Sequence, residues 1–137
     1  MAVAISPGFQ KLLREPAYCE IATLMRDGSP HIAQVWVDTD GEHILINVPE
    51  GAQKLRNVRR DPRVAVNVVD PKNPYRVAAV RGKVAEVTTE GADDQIDRLA
   101  YKYLGQEKYP FRQPGQIRVM LKVTPEKINE IGTDGSA

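Results

Sequence analysis

The sequence predicts a mainly β (α+β) domain: a six-stranded antiparallel β-barrel, closed or split, with a few short helices. Three observations support this. Most segments are rich in β-forming residues, and several alternate between apolar and polar positions. The turns between neighbouring segments are short, and few segments have a helical period. Because the strands mostly follow one another without helices between them, a doubly wound parallel sheet is excluded.

The N-terminal segment predicts a short helix. Ser6 is a suitable N-cap and Pro7 suits the first helical position, so the helix is expected to run to Leu13 and to end before Pro16. We expect this helix to close one end of the barrel.

Three strands joined by tight turns follow the helix. They are expected over residues 17–25, 31–38 and 43–48. An Asp-Gly pair lies in each connection between them, which is a strong hairpin signal. In the second strand, alternation places Val35 on one face and both Gln34 and Trp36 on the other.

The second half of the chain predicts two helices and three more strands. The strands are expected over residues 63–69, 75–88 and 117–123, with 127–131 as a possible extension. The helices are expected over residues 51–60 and 91–104. Asp61 before Pro62 ends the first helix and Gly105 ends the second. Gly82, inside the long fifth strand, predicts a bulge or bend.

The chain of 137 residues is long enough for one compact domain. We expect that domain to span residues 1–132 and residues 133–137 to form a flexible C-terminal tail. A domain of this size has no room for separate cofactor and substrate domains. A second chain is therefore expected to complete a large site.

Composition excludes several classes of function. The 19 Lys and Arg nearly balance the 18 Asp and Glu, so no global field attracts nucleic acid or a membrane surface. The single cysteine excludes an internal disulfide, and the two histidines form no cluster at metal-ligand spacing. The first residues show no basic region followed by an apolar stretch, so we expect no leader, and no run of about 20 apolar residues is present. We expect a cytoplasmic protein without a metal and without membrane or nucleic-acid partners.

Residues 51–60, GAQKLRNVRR, predict a phosphate site. They place Lys54 and Asn57 at the head of a short helix between two strands. A helix start offers free backbone N–H groups and the positive end of the helix dipole, so a lysine and a polar side chain suffice to hold a phosphate. Two alternatives stay open: the basic residues could simply form a solvated helix face, or they could bind nucleic acid.

The sequence contains no self-sufficient catalytic constellation. It has no nucleophile elbow, no phosphate-binding Walker loop and no glycine-rich dinucleotide fingerprint. We therefore predict no catalytic side chain. If the protein is an enzyme, a cofactor performs the chemistry.

The order of strands, turns and helix over residues 21–69 resembles the pyridoxamine 5′-phosphate oxidase-like split-barrel flavoproteins, and the resemblance extends over nearly the whole chain. Within that superfamily the chain is most similar to the actinobacterial branch that uses the deazaflavin coenzyme F420. A Lys-x-x-Asn helix followed by Arg-Asp-Pro-Arg is typical of this branch, and Lys54, Asn57 and residues 60–63 match it. Members that bind flavin mononucleotide (FMN) often have an additional arginine before the lysine. Here Ala52 and Gln53 precede Lys54, so a second positive charge must come from elsewhere or is missing.

In this superfamily the cofactor ring lies along the second and third strands, and its phosphate lies at the helix start. The resemblance therefore implies ring contacts from Gln34, Val35 and Trp36. The implied contacts to the ribityl chain and phosphate are Asn47, Val48, Gly51, Ala52, Gln53, Lys54 and Asn57. Residues that could reach the site of a second protomer are Arg76, Arg81, Tyr109, Phe111 and Arg112. Core packing of Trp36 and strand capping by Asn47 stay open as alternatives.

The resemblance implies a function and an assembly. The expected function is an F420-dependent oxidoreductase that transfers a hydride from the reduced deazaflavin to a conjugated organic acceptor, with solvent supplying the proton. Alternatives are an FMN-dependent oxidase or reductase and a non-catalytic F420 or flavin carrier. The expected assembly is a homodimer with the cofactor site at its interface. Apolar residues available for the dimer seam are Val35, Val37, Val66, Val68, Val77 and Ala79.

Overall fold

The computed structural model describes residues 1–134 and contains one seven-stranded antiparallel sheet with three helices. The helices are α1 (Pro7–Arg14), α2 (Gln53–Arg60) and α3 (Ala92–Leu104). The strands are β1 (Tyr18–Leu24), β2 (Pro30–Val35), β3 (Val37–Thr39), β4 (Ile44–Pro49), β5 (Arg63–Asp70), β6 (Asn73–Thr88) and β7 (Arg118–Ile131). Their order in the sheet is β2-β1-β5-β6-β7-β4-β3. The predicted mainly β split-barrel fold is confirmed.

The sheet closes on itself at Trp36. The two strands at its edges, β2 and β3, are consecutive in the chain and only Trp36 separates them. The sheet must therefore curl until its two edges meet at this residue. The prediction of six strands was wrong by one for the same reason: the strand expected over 31–38 breaks at Trp36, because β2 pairs with β1 whereas β3 pairs with β4.

The predicted alternation around this break is confirmed, and the structure shows that the face with Val35 and Val37 points to the core. Val35 is 8% exposed and Val37 is fully buried, whereas Gln34 is exposed and Trp36 lies between these extremes. Apolar side chains from β4, β5 and β7 complete the barrel interior. Each fully buried aliphatic side chain of this kind contributes roughly 1.5–3 kcal/mol.

Two helices cover openings of the barrel. Ser6 caps α1 by accepting a hydrogen bond from the Phe9 N–H group (3.1 Å), with Pro7 at the first helical position, as predicted. The buried face of α1, with Phe9 fully enclosed, packs into the barrel core. Leu55 and Val58 form the buried stripe of α2.

Gly82 marks a bulge, as predicted. The register between β6 and β7 shifts at this position, and a Cβ atom there would lie 2.2 Å from the carbonyl oxygen of Thr124. Only a residue without a side chain allows this close approach. The bulge lets β7 continue through Pro125 to Ile131, so the possible extension at 127–131 is part of the same strand.

The C-terminal residues 133 and 134 lie beside α1. A Cβ atom on Gly8 would lie 1.9 Å from the carbonyl oxygen of Thr133, and the Thr133 hydroxyl bonds to Glu130. These are the first two residues of the predicted tail, and its other three lie outside the described residues. Among residues 1–134, no helix has the length and apolar character needed to cross a bilayer.

Candidate functional site

A cleft of about 480 Å³ opens beside the break between β2 and β3. Its lining comes from this break, from β4, from α2 and α3, and from the loop that leads into β7. One part of the lining is aromatic and the other carries two cations. The cleft is therefore shaped for a ligand with a flat ring and an anionic group.

The aromatic wall consists of Trp36, Tyr103, Tyr109 and Phe111. The rings of Trp36 and Tyr103 stack with centroids 5.1 Å apart and planes 6° apart. Tyr109 meets Trp36 edge-on at 5.9 Å, and Phe111 meets Tyr109 edge-on at 5.7 Å. Both arrangements suit the quadrupoles of aromatic rings. Trp36 is only half-buried, so this wall presents ring surface to the cleft rather than being sealed in the core.

The hydroxyl of Tyr103 is committed to the backbone. It donates to the carbonyl oxygen of Ala17 (2.7 Å) and accepts from the Val37 N–H group (3.2 Å). Burial raises the pKa of Tyr103, so the hydroxyl stays protonated at physiological pH. The Tyr103 hydroxyl is therefore held by the backbone, while its ring forms part of the wall.

Two cations without carboxylate partners form the other part of the lining. Lys54 is half-buried and makes no hydrogen bond or ion pair within residues 1–134. Arg118 is 6% exposed, and no carboxylate of the described chain forms an ion pair with it. Burial lowers the pKa of Lys54 first, and the charge of Arg118 lowers it further. Two partly buried cations repel each other, and a bound anion would offset this unfavourable free energy, so the arrangement suits an anionic group.

Asn47 holds Arg118 in place. Its Oδ1 accepts from the Arg118 Nε (2.8 Å), and its Nδ2 donates to the Ala92 carbonyl (2.8 Å) and to Gln95 Oε1 (2.9 Å). The predicted contact residue therefore lies in the cleft wall with its own hydrogen-bonding groups engaged. Asn47 therefore joins β4 to β7 and to α3.

Asn57 does not face the cleft. It is fully buried, and its Nδ2 donates to Thr23 Oγ1 (3.0 Å) while its Oδ1 accepts from Gln53 Nε2 (2.8 Å) and from Arg60 (3.1 Å). The predicted phosphate contact is corrected here: three residues after Lys54, the helix turns this side chain toward β1. Asn57 joins α2 to the barrel.

The other basic residues of α2 have partners of their own. Arg56 donates to the Gly51 carbonyl (2.5 Å), Arg59 pairs with Glu50 (2.5 Å) and Arg60 donates to the Leu24 carbonyl (2.6 Å). Each of these three arginines is therefore engaged within the protein, and Arg59 alone among them pairs with a carboxylate. Lys54 differs from its neighbours in having no such partner in the described chain.

The remaining predicted residues divide into three groups. Gln34, Val35 and Trp36 line the cleft. Val48 is fully buried in the core, so its side chain is not available for contact. The residues at the start of α2 flank Lys54 without lining the cleft: Gly51, Ala52 and Gln53.

Arg76 and Arg81 lie outside this cleft. Arg76 forms ion pairs with Glu15 (2.7 Å) and Asp70 (3.1 Å), and Arg81 is exposed on β6. Their contact with the site of a second protomer stays a prediction. Tyr109 and Phe111, expected to reach a partner's site, line the cleft of their own chain.

Sequence reasoning missed Arg118 and Tyr103. An arginine opening the apolar run VMLKV was the available signal for Arg118, because a charged residue at a buried strand end needs a reason. For Tyr103, the helical pattern predicted a place on the apolar face of α3 and no contact with Trp36.

The sheet closes at Trp36, and a cleft lies beside this closure. These two features define the protein as a split-barrel protein. The family model described as "Pyridoxamine 5′-phosphate oxidase" matches residues 5–132. The chain belongs to this family, which confirms the resemblance read from the sequence. It is an oxidoreductase of the split-barrel type.

Solved structures agree with this assignment. An F420 reductase is 32% identical, with a TM-score of 0.79, over 91% of this chain and 98% of that one. The conserved hypothetical protein Rv2991 from Mycobacterium tuberculosis is 20% identical, with a TM-score of 0.65, over 99% of this chain and 91% of that one. General Stress Protein 26 from Bacillus anthracis is 15% identical, with a TM-score of 0.65, over 90% of this chain and 91% of that one. The last two similarities show the fold alone.

Proposed function

We propose that this protein is an F420-dependent oxidoreductase that passes a hydride from the reduced deazaflavin to a conjugated organic acceptor. One observation carries the proposal: a single cleft combines a stacked aromatic wall with two cations that lack carboxylate partners. The similarity to an F420 reductase at 32% identity over nearly the full length favours the deazaflavin over a flavin.

The residues present fit this cofactor. The deazaflavin F420 carries a flat ring, which suits the wall around Trp36, and a phosphate, which suits the two cations without carboxylate partners. In this proposal Arg118 supplies the second positive charge, because Ala52 and Gln53 stand where FMN-binding members often have an additional arginine. That charge would come from β7 and not from α2.

In this proposal the chain contributes position and electrostatics. The bound cofactor supplies the hydride chemistry. Lys54 and Arg118 hold its phosphate, and the aromatic wall limits the ring to one plane, so that an acceptor can lie flat against it. Tyr103 donates no proton because its hydroxyl is engaged with the backbone. Solvent supplies the proton that follows the hydride.

The proposal is tested by titrating the purified protein with F420 and with FMN, following cofactor fluorescence. We expect F420 to bind at micromolar concentration or tighter, which is about −8 kcal/mol, and FMN to bind more weakly. Oxidation of reduced F420 should then follow on addition of a quinone or enone. The reverse preference overturns the F420 assignment in favour of an FMN-dependent enzyme, which the family match also accommodates. Tight F420 binding without turnover on any acceptor favours a carrier.

We further propose a homodimer with the cleft at its interface. One face of the sheet carries a cross-strand row of Ile32, Ala22, Ala65, Arg81 and Lys127. Ile32 is 70% exposed at one end of this row, and the alanines leave its centre flat. The neighbouring row contains Glu20 and Gln34, so acidic and basic groups lie on adjacent rows of one face and could pair with a second copy.

The proposed interface contains few of the residues that were predicted for the dimer seam. Four of the suggested residues, Val35, Val37, Val66 and Val68, are buried in the barrel core, whereas Ala79 is exposed on the proposed face. Gln34 belongs to both the face and the cleft, which connects the interface to the site.

Light scattering at micromolar concentration tests the assembly. We expect a dimer mass for the wild type and a monomer for Ala65→Arg, because a long cation at the centre of the face prevents close packing. Glu42→Arg, an exposed change elsewhere, is the control and should remain dimeric. A wild-type monomer that binds F420 tightly contradicts both the dimer and the shared site.

A further inference from the structure

The last turn of α3 binds both backbone groups of Val37. Lys102 Nζ donates to the Val37 carbonyl and to the Leu13 carbonyl (2.8 Å), and the Tyr103 hydroxyl accepts from the Val37 N–H group (3.2 Å). Val37 is the first residue after the break in the sheet. The consecutive side chains of Lys102 and Tyr103 therefore both bond to Val37, the residue that follows Trp36. We call these contacts the clamp.

The clamp is important because Trp36 lies in neither β2 nor β3. The ladders of β2 and β3 end on either side of it, so sheet pairing does not fix its backbone. Its ring is oriented by stacking on Tyr103, whose hydroxyl also bonds to the Ala17 carbonyl beside β1. The helix α3 therefore fixes the position of Trp36 both through the ring and through the next peptide.

We propose that Lys102 and Tyr103 are positioning residues for the cleft, holding Trp36 as the flat wall against which a cofactor ring or acceptor lies. The inference rests on the proposed function for the use of the wall. The clamp itself is a property of the protein without a ligand, so it is tested separately.

The charge of Lys102 makes the clamp sensitive to pH. Burial lowers the pKa of Lys102 from its ordinary value of 10.5 to about 8, opposed by the nearby charge of Asp38. The other titratable groups that face it are the Cys19 thiol, whose pKa burial raises, and the Tyr103 hydroxyl, so both stay neutral near pH 8. An ammonium donates stronger hydrogen bonds to the two carbonyls than a neutral amine does. The clamp should therefore loosen as pH rises through the pKa of Lys102.

This loosening is local. Because the pKa of Lys102 is lower in the folded than in the unfolded chain, its deprotonation adds to global stability between about pH 8 and its ordinary pKa of 10.5. A change at Trp36 over this range is therefore not the start of unfolding.

Trp36 is the chain's only tryptophan, so its fluorescence reports on the clamp without a cofactor. We expect acrylamide quenching of Trp36 in the free protein to increase about two- to threefold in Lys102→Met and in Tyr103→Phe. Wild-type quenching should rise with a midpoint near the pKa of about 8. Lys102→Arg should keep quenching low at every pH, because it stays charged.

Lys122→Met is the matched control. Lys122 is also partly buried and has an oxygen partner, Glu86 at 3.7 Å, but it lies on β7 away from the clamp. Unchanged quenching in both clamp variants, or an equal change in the control, overturns the proposal. If Lys102→Met does not fold, the pH dependence of Trp36 quenching tests the proposal instead. It should be present in the wild type and absent in Lys102→Arg. Failure of F420 to bind would overturn the proposed function and leave this result intact.

Discussion

Arg118→Met is expected to weaken F420 binding by roughly 10- to 100-fold, the effect of losing a charge-assisted hydrogen bond of about 1.5–3 kcal/mol. Arg118 lines the cleft and has no carboxylate partner in the described chain, so no carboxylate there neutralises its charge before a ligand binds. Methionine keeps much of the apolar stem and removes the charge. Fluorescence titration of the variant measures the loss.

Lys54→Met should produce a loss of similar size, since both cations line the same cleft. Removing Arg118 also removes one of the two causes that lower the pKa of Lys54, so that pKa should rise toward its ordinary value. F420 affinity in the wild type should therefore fall at a lower pH than in Arg118→Met, because a neutral Lys54 no longer attracts phosphate.

Arg98→Met is the control for both variants. Arg98 lies exposed on α3 outside the cleft lining and should leave affinity within about twofold of the wild type. If Arg98→Met weakens F420 as much as Arg118→Met does, a diffuse field and not a built site attracts the cofactor. If neither cleft variant changes the dissociation constant, the anion site is wrong.

Asn57→Leu is expected to lower the free energy of unfolding by about 2–3 kcal/mol, because it removes several hydrogen bonds and leaves a buried hydroxyl without its donor. That hydroxyl is Thr23 Oγ1, whose residue is 1% exposed. Leucine has the same number and branching of side-chain heavy atoms as asparagine and is the larger residue, so a cavity does not explain the loss. Urea denaturation measures the change.

The comparison with Lys54→Met separates stability from binding on one helix. Lys54 has no hydrogen bond within the described chain and is repelled by Arg118, so its replacement should lower the free energy of unfolding by no more than about 0.5 kcal/mol while weakening F420 binding. Asn57→Leu should have the opposite profile, with affinity preserved below the unfolding transition. An Asn57→Leu variant of wild-type stability that loses F420 would restore Asn57 as a cofactor ligand.

Local patterns were sufficient to predict most of the fold. The Asp-Gly turns, the alternation through Val35 and Val37, the caps of α1 and the bulge at Gly82 depend on neighbouring residues only, and each is found as predicted. Lys54 was predicted on the same basis, since a helix start after a strand is a local feature. The break at Trp36 was not predicted, because the alternation of polarity runs through it without interruption.

By itself, the sequence determined the mainly β split-barrel fold, the helix that carries Lys54 and the family resemblance, because strand period, turn chemistry and motif spacing depend on residues close together in the chain. Only the tertiary structure decided which side chains meet. Arg118 joins Lys54 from a strand 64 positions away, Tyr103 stacks on Trp36, and Asn57 turns inward. Such pairings depend on how the sheet curls and where α3 packs, and no local pattern encodes either.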